Sequence, residues 1–168
     1  PDVQMSALAL GAVYRPVEDR DALRDLEAFA RRSIHLALDE GGAIFEGPGC
    51  YGTPDAEFLS LAAEVLLRAG AANLWMTETR FANMARHWAY VLLPGDKGIN
   101  AICDAGRASI LLWAALLASR RLNEPALQWV FDRIAIQNRD VAKIPNPGYA
   151  VLWSDPDVKA IDPGQAGW

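Results

Sequence analysis

The stretch FLSLAAEVLL, residues 58–67, carries apolar side chains nearly all the way round a helix. Residues 110–117, ILLWAALL, and residues 5–13 have the same character. A helix without a polar face is buried on all sides, because any face turned to water would expose apolar surface. These three stretches therefore predict the inner helices of an all-α protein.

The helices predicted between and after these stretches are one-sided. Residues 21–38, for example, place Leu26 and Ile34 on one face and charged side chains on the other. Inner and outer helices alternate along the chain, which is the order of antiparallel αα-hairpins in two layers. The pattern predicts a segment of an α/α toroid, or incomplete barrel. The six predicted helices span residues 3–14, 21–38, 55–69, 75–92, 106–122 and 123–138, the last with Asn123 as N-cap and Pro125 in its first turn.

Composition and charge limit the class of protein. The chain has 168 residues, of which 52% are hydrophobic and 22% charged, so a core can form and disorder is excluded. The formal net charge of −5 argues against a protein that holds nucleic acid by its overall charge. The longest apolar run, residues 110–118, is far shorter than the roughly 20 residues of a membrane-spanning helix. We therefore expect neither a nucleic-acid partner nor a membrane span.

The sequence predicts two regions. Residues 1–143 form the helical segment, whereas residues 144–168 hold four of the ten prolines and predict an extended tail that leads to a further domain. No signal segment precedes the helical pattern, which starts almost at Pro1, so we expect a piece of a larger protein. Cys50 and Cys103 have no metal-ligand spacing and predict no metal site, and a disulfide or two free thiols both stay open.

The links between the predicted helices alternate in length. Links from inner to outer helices are short, whereas residues 39–54 and 93–105 form long links from outer to inner helices. Antiparallel packing puts both long links at the same end of the helices, and long loops on a rigid scaffold often carry sites. The polar side chains expected on this shared rim are Glu46, Tyr51, Asp96, Lys97, Asn100, Asp104 and Arg107.

The first long link includes EGGAIFEGPGCY, residues 40–51, directly before a predicted inner helix. This stretch resembles a motif of the heparinase II/III-like polysaccharide lyases. Residues 88–104, which include a Leu-Pro step and end in Asp104, are similar to a later loop of that family. Residues 151–156, VLWSDP, are similar to the strip where the family's α/α toroid leads into a β-sandwich domain. The resemblance implies the later part of a toroid, with earlier helices and the β domain belonging to the same protein.

The resemblance implies β-elimination on an acidic, uronate-containing polysaccharide, without a cofactor. That reaction needs a group that neutralises the carboxylate, a base for the C5 proton and an acid for the leaving oxygen. The resemblance makes Tyr51 the proton donor or shuttle, and it implies a periplasmic or extracellular location. The candidate substrate contacts on the rim are Glu46, Asn100, Asp104 and Arg107.

Four of these five residues also have a structural interpretation. Tyr51 fits an aromatic plug in its loop, Glu46 an acceptor of backbone N–H groups, and Asp104 a helix cap, while Arg107 fits a solvated or paired cation. Two further functions stay open. One is a glycoside hydrolase on a similar toroid with Glu46 and Asp104 as its carboxylate pair, and the other is a non-catalytic helical module that binds glycan or protein.

The histidines and most of the tryptophans are expected to have structural positions. His35 and His87 lie within outer helices, away from the predicted rim, and are expected at packing or surface positions. Four tryptophans stand at helical core spacing and are expected in the core rather than as sugar platforms, namely Trp75, Trp88, Trp113 and Trp129.

Overall fold

Six helices make up the part of the chain that the computed structural model describes, residues 20–45, 47, 52–91, 112–137 and 152–168. No strand occurs among these residues, although Leu38 and Ile44 form an isolated antiparallel bridge. The all-α prediction is confirmed for this part, and the predicted helix at residues 3–14 lies outside it. None of the six helices is long and apolar enough to cross a membrane. The helices are α1 (Arg20–Ala37), α2 (Gly52–Arg68), α3 (Leu74–Thr77), α4 (Thr79–Tyr90), α5 (Leu112–Leu122) and α6 (Pro125–Gln137).

Buried residues are most numerous in α2 and α5, two of the helices predicted as inner, over the positions whose burial is described. Arg68 is the one exposed residue of α2 between residues 55 and 68, and Arg120 is the one exposed residue of α5 between residues 113 and 122. α1 instead exposes charged side chains along its length. The buried residues of α1 are Leu23, Leu26, Ala30 and Ile34. The greater burial of α2 and α5 agrees with their predicted inner role.

Contacts between the helices follow the same division. α2 and α5 contact each other, α1 packs on α2, and α6 packs on α5. α4 contacts α1, α5 and α6, so it packs on both of the other one-sided helices and on one of the two buried ones. Three of the predicted core tryptophans are confirmed as buried, namely Trp75, Trp88 and Trp113, whereas Trp129 is partly buried.

A left-handed residue ends α2. Gly70 has φ 67°, a backbone conformation that costs glycine little. The Ala71 N–H donates to the Leu66 carbonyl at 2.9 Å, and the Gly70 N–H donates to the Leu67 carbonyl at 3.1 Å. These are the two bonds of a Schellman motif, which satisfies carbonyls that the helix end leaves open.

The same type of turn ends α5. Asn123 has φ 54°, and the Glu124 N–H donates to the Ser119 carbonyl at 3.0 Å. Asparagine tolerates this left-handed conformation better than most residues with a side chain. The prediction of Asn123 as the N-cap of the last helix is therefore wrong, because Asn123 terminates α5 and α6 begins two residues later, at Pro125.

The fourth predicted helix is two helices in the structure. Glu78 lies between α3 and α4 with φ −115° and ψ 93°, which is an extended conformation. Its N–H donates to the Leu74 carbonyl at 3.0 Å, and its own carbonyl accepts from the Phe81 N–H at 3.0 Å. The Glu78 carboxylate binds Arg31 of α1, a long-range contact that helical periodicity does not encode. The predicted uninterrupted helix is therefore wrong at this residue.

The described end of the chain packs on the helices. Trp153 is buried, and its ring lies 5.0 Å from the Trp113 ring of α5. The Ile161 N–H donates to the Pro125 carbonyl at 3.2 Å, and Trp168 stacks on Tyr90 with 6.2 Å between ring centroids. Residues 152–168 thus lie against α4, α5 and α6, and a further domain beyond them stays a prediction.

Candidate functional site

The first long link begins with a short turn that we call the α1 turn, residues 38–45. Its ends pair in the isolated antiparallel bridge. Within it, the Asp39 N–H donates to the Ala43 carbonyl at 3.0 Å, and the Asp39 carboxylate accepts from the Ala43 N–H at 2.8 Å. The Phe45 N–H donates to the last carbonyl of α1 at 3.0 Å. Because these bonds close on α1 itself, the position of the turn is fixed by the helix that precedes it.

The α1 turn also packs closely on α4. Gly42 has φ 84°, and a Cβ built there lies 2.2 Å from the Met84 nitrogen and 2.3 Å from the Asn83 carbonyl carbon. Glycine is therefore required both by the conformation and by the close approach of the two backbones. The Asn83 side chain donates to the Glu40 carbonyl at 3.0 Å, and Arg80 donates to the first carbonyl of the turn at 3.1 Å.

The predicted site residues follow the α1 turn in sequence and lie outside the described residues. Two described positions flank the first loop, since the α1 turn ends at Phe45 and α2 begins at Gly52, the residue after Tyr51. α2 thus starts earlier than the predicted residue 55. The residues outside the description are Glu46, Tyr51, Asn100, Asp104 and Arg107, together with Cys50 and Cys103. Their roles and mutual distances stay predictions.

An ion-pair cluster joins α1 to the junction between α3 and α4. Arg31 binds Glu78, whose side chain is 11% exposed, and it binds Glu27 at 2.9 Å. Burial disfavours the charged guanidinium, but the bonds from Glu27 and Glu78 outweigh it and raise the pKa of Arg31. His35 lies on the surface, with its Nε2 atom 3.5 Å from Glu78. The cluster stabilises helix packing, and His35 lies at the surface, which is one of the two positions predicted for it.

A second ion pair repeats this connection further along the chain. The Arg86 Nε atom of α4 lies 2.9 and 3.1 Å from the two carboxylate oxygens of Glu124, the residue before α6. Its hydrogen bonds to Glu124 outweigh partial burial and raise the pKa of Arg86. In both pairs, an arginine of one one-sided helix binds the glutamate that precedes the next one-sided helix. This recurrence links α1, α4 and α6 through side chains.

Glu64 is a buried carboxylate on the inner helix α2 that the apolar pattern did not single out. It is 5% exposed and accepts hydrogen bonds from Arg121 of α5 at 2.8 Å and from Arg68 at 2.5 Å. Burial alone raises the pKa of Glu64, but the bonds from Arg121 and Arg68 prevail and hold it below its usual value. The available signal was one acidic residue inside an otherwise apolar stretch, four residues before an arginine.

An open cleft of about 430 Å³ lies beside the start of α1. It is lined by Arg20, Arg24 and Glu27 of α1 and by the backbone around Gly70. Arg24 pairs with Asp21 at 3.1 Å, and Glu27 is engaged by the guanidinium of the next turn. The cleft is at the opposite end of α1 from the α1 turn, so it is separate from the predicted rim.

No known protein family, curated protein or solved structure matches the chain. Over the described ranges, no three His, Cys, Asp or Glu side chains gather in a group that could hold a metal ion. The ion pairs of Arg31 with Glu78, Arg86 with Glu124 and Arg121 with Glu64 join separate elements of the fold. The α1 turn is the described feature that leads into the predicted catalytic loop.

Proposed function

We propose that the chain is part of a polysaccharide lyase that cleaves an acidic, uronate-containing glycan by β-elimination. One observation carries the proposal, namely the motif-like stretch at residues 40–51, whose end is followed at once by the inner helix α2. The braced α1 turn supports it, because a catalytic loop needs a rigid attachment to hold its groups in place. The proposal thus rests on the resemblance of the sequence and on the scaffold that carries it.

The proposed chemistry assigns separate tasks to the loop residues. A base removes the C5 proton of the uronate, the electron pair forms the C4–C5 double bond, and the C4–oxygen bond breaks. The departing oxygen needs a proton, and Tyr51 supplies or relays it. Arg107 forms charge-assisted bonds with the acidic glycan, and Glu46, Asn100 and Asp104 contact its polar groups.

The proposed architecture is a segment of an α/α toroid. Its support is the contact between the buried helices α2 and α5, the packing of α1 on α2 and of α6 on α5, and the recurrence of one ion-pair connection among α1, α4 and α6. In this proposal the earlier helices and a β domain belong to the same protein, which works in the periplasm or outside the cell. An acidic polysaccharide or oligosaccharide is the partner.

The first test is a product assay. Elimination leaves a conjugated unsaturated uronate that absorbs in the near ultraviolet, whereas hydrolysis leaves no such chromophore. We expect an absorbance rise with at least one of alginate, polygalacturonate, hyaluronan or heparan sulfate. New reducing ends without absorbance would instead favour the hydrolase with Glu46 and Asp104, and binding without cleavage would favour the non-catalytic module.

The Tyr51→Phe variant tests the assigned proton donor. It removes one hydroxyl, so we expect an unchanged melting temperature and a loss of turnover on the order of 10²–10⁴-fold. Tyr90→Phe is the matched control, because it removes the same group from a side chain that is 66% exposed on α4 and keeps the ring that stacks on Trp168. Equal turnover in the two variants would show that Tyr51 is not the proton donor and would favour its structural interpretation as an aromatic plug in the loop.

A further inference from the structure

Phe45 combines a fixed backbone with an exposed aromatic ring. Its ring is 69% exposed, although the neighbouring Ile44 is buried. The Phe45 N–H donates to the Ala37 carbonyl at 3.0 Å, and the Gly47 N–H donates to the Ile44 carbonyl at 3.0 Å. Hydrogen bonds on both sides thus hold the residue, so its ring is presented to solvent from a rigid position.

The packing beneath the turn strengthens this argument. Gly42 lies against the backbone of α4, and Asn83 and Arg80 donate to two carbonyls of the turn. Exposure of a large apolar side chain to water does not stabilise the folded protein, because the hydrophobic effect favours its burial. A rigid, exposed ring beside a binding loop is instead suited to a ligand that covers it, because little conformational freedom is lost on binding.

We infer that Phe45 is a stacking platform for a pyranose ring of the glycan, next to the reacting sugar. This inference rests on the proposed function, since Phe45 stands directly before Glu46 in the predicted catalytic loop. Phenylalanine has no polar group, so its contact is with the C–H face of the sugar and leaves the carboxylate and hydroxyls to other residues. The occupant is therefore a hexopyranose whose C–H bonds line one face.

The structure supplies a matched set of variants. Phe45→Ala removes the ring and Phe45→Trp keeps an aromatic face. Met76→Ala removes an apolar side chain of similar exposure, 71%, from α3 rather than from the α1 turn. Neither Phe45 nor Met76 is buried, so all three variants are expected to fold. A thermal melt of each variant checks this.

The experiment measures kcat and KM on the uronate polymer that gives the fastest absorbance rise. We expect Phe45→Ala to raise KM by roughly three- to tenfold with kcat little changed, because stacking away from the bond that breaks acts equally on ground and transition states. Phe45→Trp is expected to keep KM close to that of the unmodified protein, and Met76→Ala to leave both constants unchanged. An unchanged KM in Phe45→Ala overturns the platform while the lyase proposal stands.

Affinity electrophoresis in gels that contain the same polymers separates the two proposals. Retardation of the unmodified protein that is reduced in Phe45→Ala and kept in Phe45→Trp supports the platform, even if no unsaturated product forms and the lyase proposal fails. Equal retardation of the unmodified protein and Phe45→Ala overturns the platform. The absence of both product and retardation for the unmodified protein overturns both proposals.

Discussion

Replacing Glu64 by glutamine is expected to lower the stability of the whole helical segment. The side chain keeps its size, but the charge that binds Arg121 and Arg68 is lost. Hydrogen bonds to charged groups contribute about 1.5–3 kcal/mol each, and breaking a buried pair costs about 3–5 kcal/mol. Arg121 and Arg68 keep access to water, with side chains 23% and 65% exposed. The loss in the free energy of unfolding is therefore expected to be smaller than that for a fully buried pair. We expect about 2 kcal/mol, or a melting temperature lower by about 4–8 °C.

The effect of Glu64→Gln depends on pH in a defined direction. The folded-state pKa of Glu64 lies below its ordinary value of 4.5. Its contribution to stability is therefore complete above about pH 4.5 and is lost as the pH falls through the folded-state pKa. Glutamine cannot titrate, so the stability difference between the two proteins narrows on acidification.

Urea unfolding at about pH 7 and at several pH values below 4.5 measures this difference. Glu40→Gln is the control, because that side chain is 92% exposed and lies 3.8 Å from Arg80, so its loss costs less than about 0.5 kcal/mol. A stability difference for Glu64→Gln that stays constant or widens towards acid would refute the reasoning. So would equal stability of the Glu64→Gln and Glu40→Gln proteins at neutral pH.

Two further predictions concern stability and are checked by the same unfolding measurement. Gly42→Ala is expected to cost about 2–4 kcal/mol, because it adds a clash with the α4 backbone to a positive φ, whereas Gly70→Ala meets no atom within 4 Å and costs only about 1 kcal/mol. Equal losses in the free energy of unfolding for the two variants would show that the α1 turn moves away from α4 to make room for the added methyl group. Arg86→Gln is expected to cost about 1–2 kcal/mol through Glu124, against less than about 0.5 kcal/mol for the exposed Arg24→Gln. A cost for Arg24→Gln as large as that for Arg86→Gln would contradict this ranking.

The sequence predicted the helices and their relative burial because both depend on local periodicity. Residues 58–67 and 110–117 are apolar on nearly every face, and α2 and α5 accordingly have more buried residues than any other helix, over the positions whose burial is described. The end of α2 at Gly70 was also predictable, since glycine is the usual residue for a left-handed helix end. Asn123 was misassigned because asparagine suits both a left-handed end and an N-cap.

The features that sequence reasoning missed depend on distant partners. Glu78 separates α3 from α4, and its carboxylate binds Arg31, which lies 47 residues earlier in the chain. Glu64 stays charged inside the packing because Arg121, 57 residues later, binds it. The helical period of 3.6 residues relates positions that are a few residues apart, so it does not predict partners this far apart in the sequence. The candidate site rests on the motif alone. The roles of Tyr51, Glu46, Asn100, Asp104 and Arg107 therefore stay predictions.

One face of α4 gives the candidate loop its physical connection to the rest of the fold. Asn83 donates to the Glu40 carbonyl of the α1 turn, and its side-chain oxygen accepts from Arg86 at 2.9 Å. Arg86 in turn binds Glu124 at the start of the next outer helix. The Asn83 amide nitrogen donates to the α1 turn, and its oxygen accepts from Arg86. These two partners together determine the orientation of the amide. The turn that leads towards Tyr51 is thereby linked through α4 to the turn between α5 and α6, so the loop starts from the shared scaffold rather than from α1 alone.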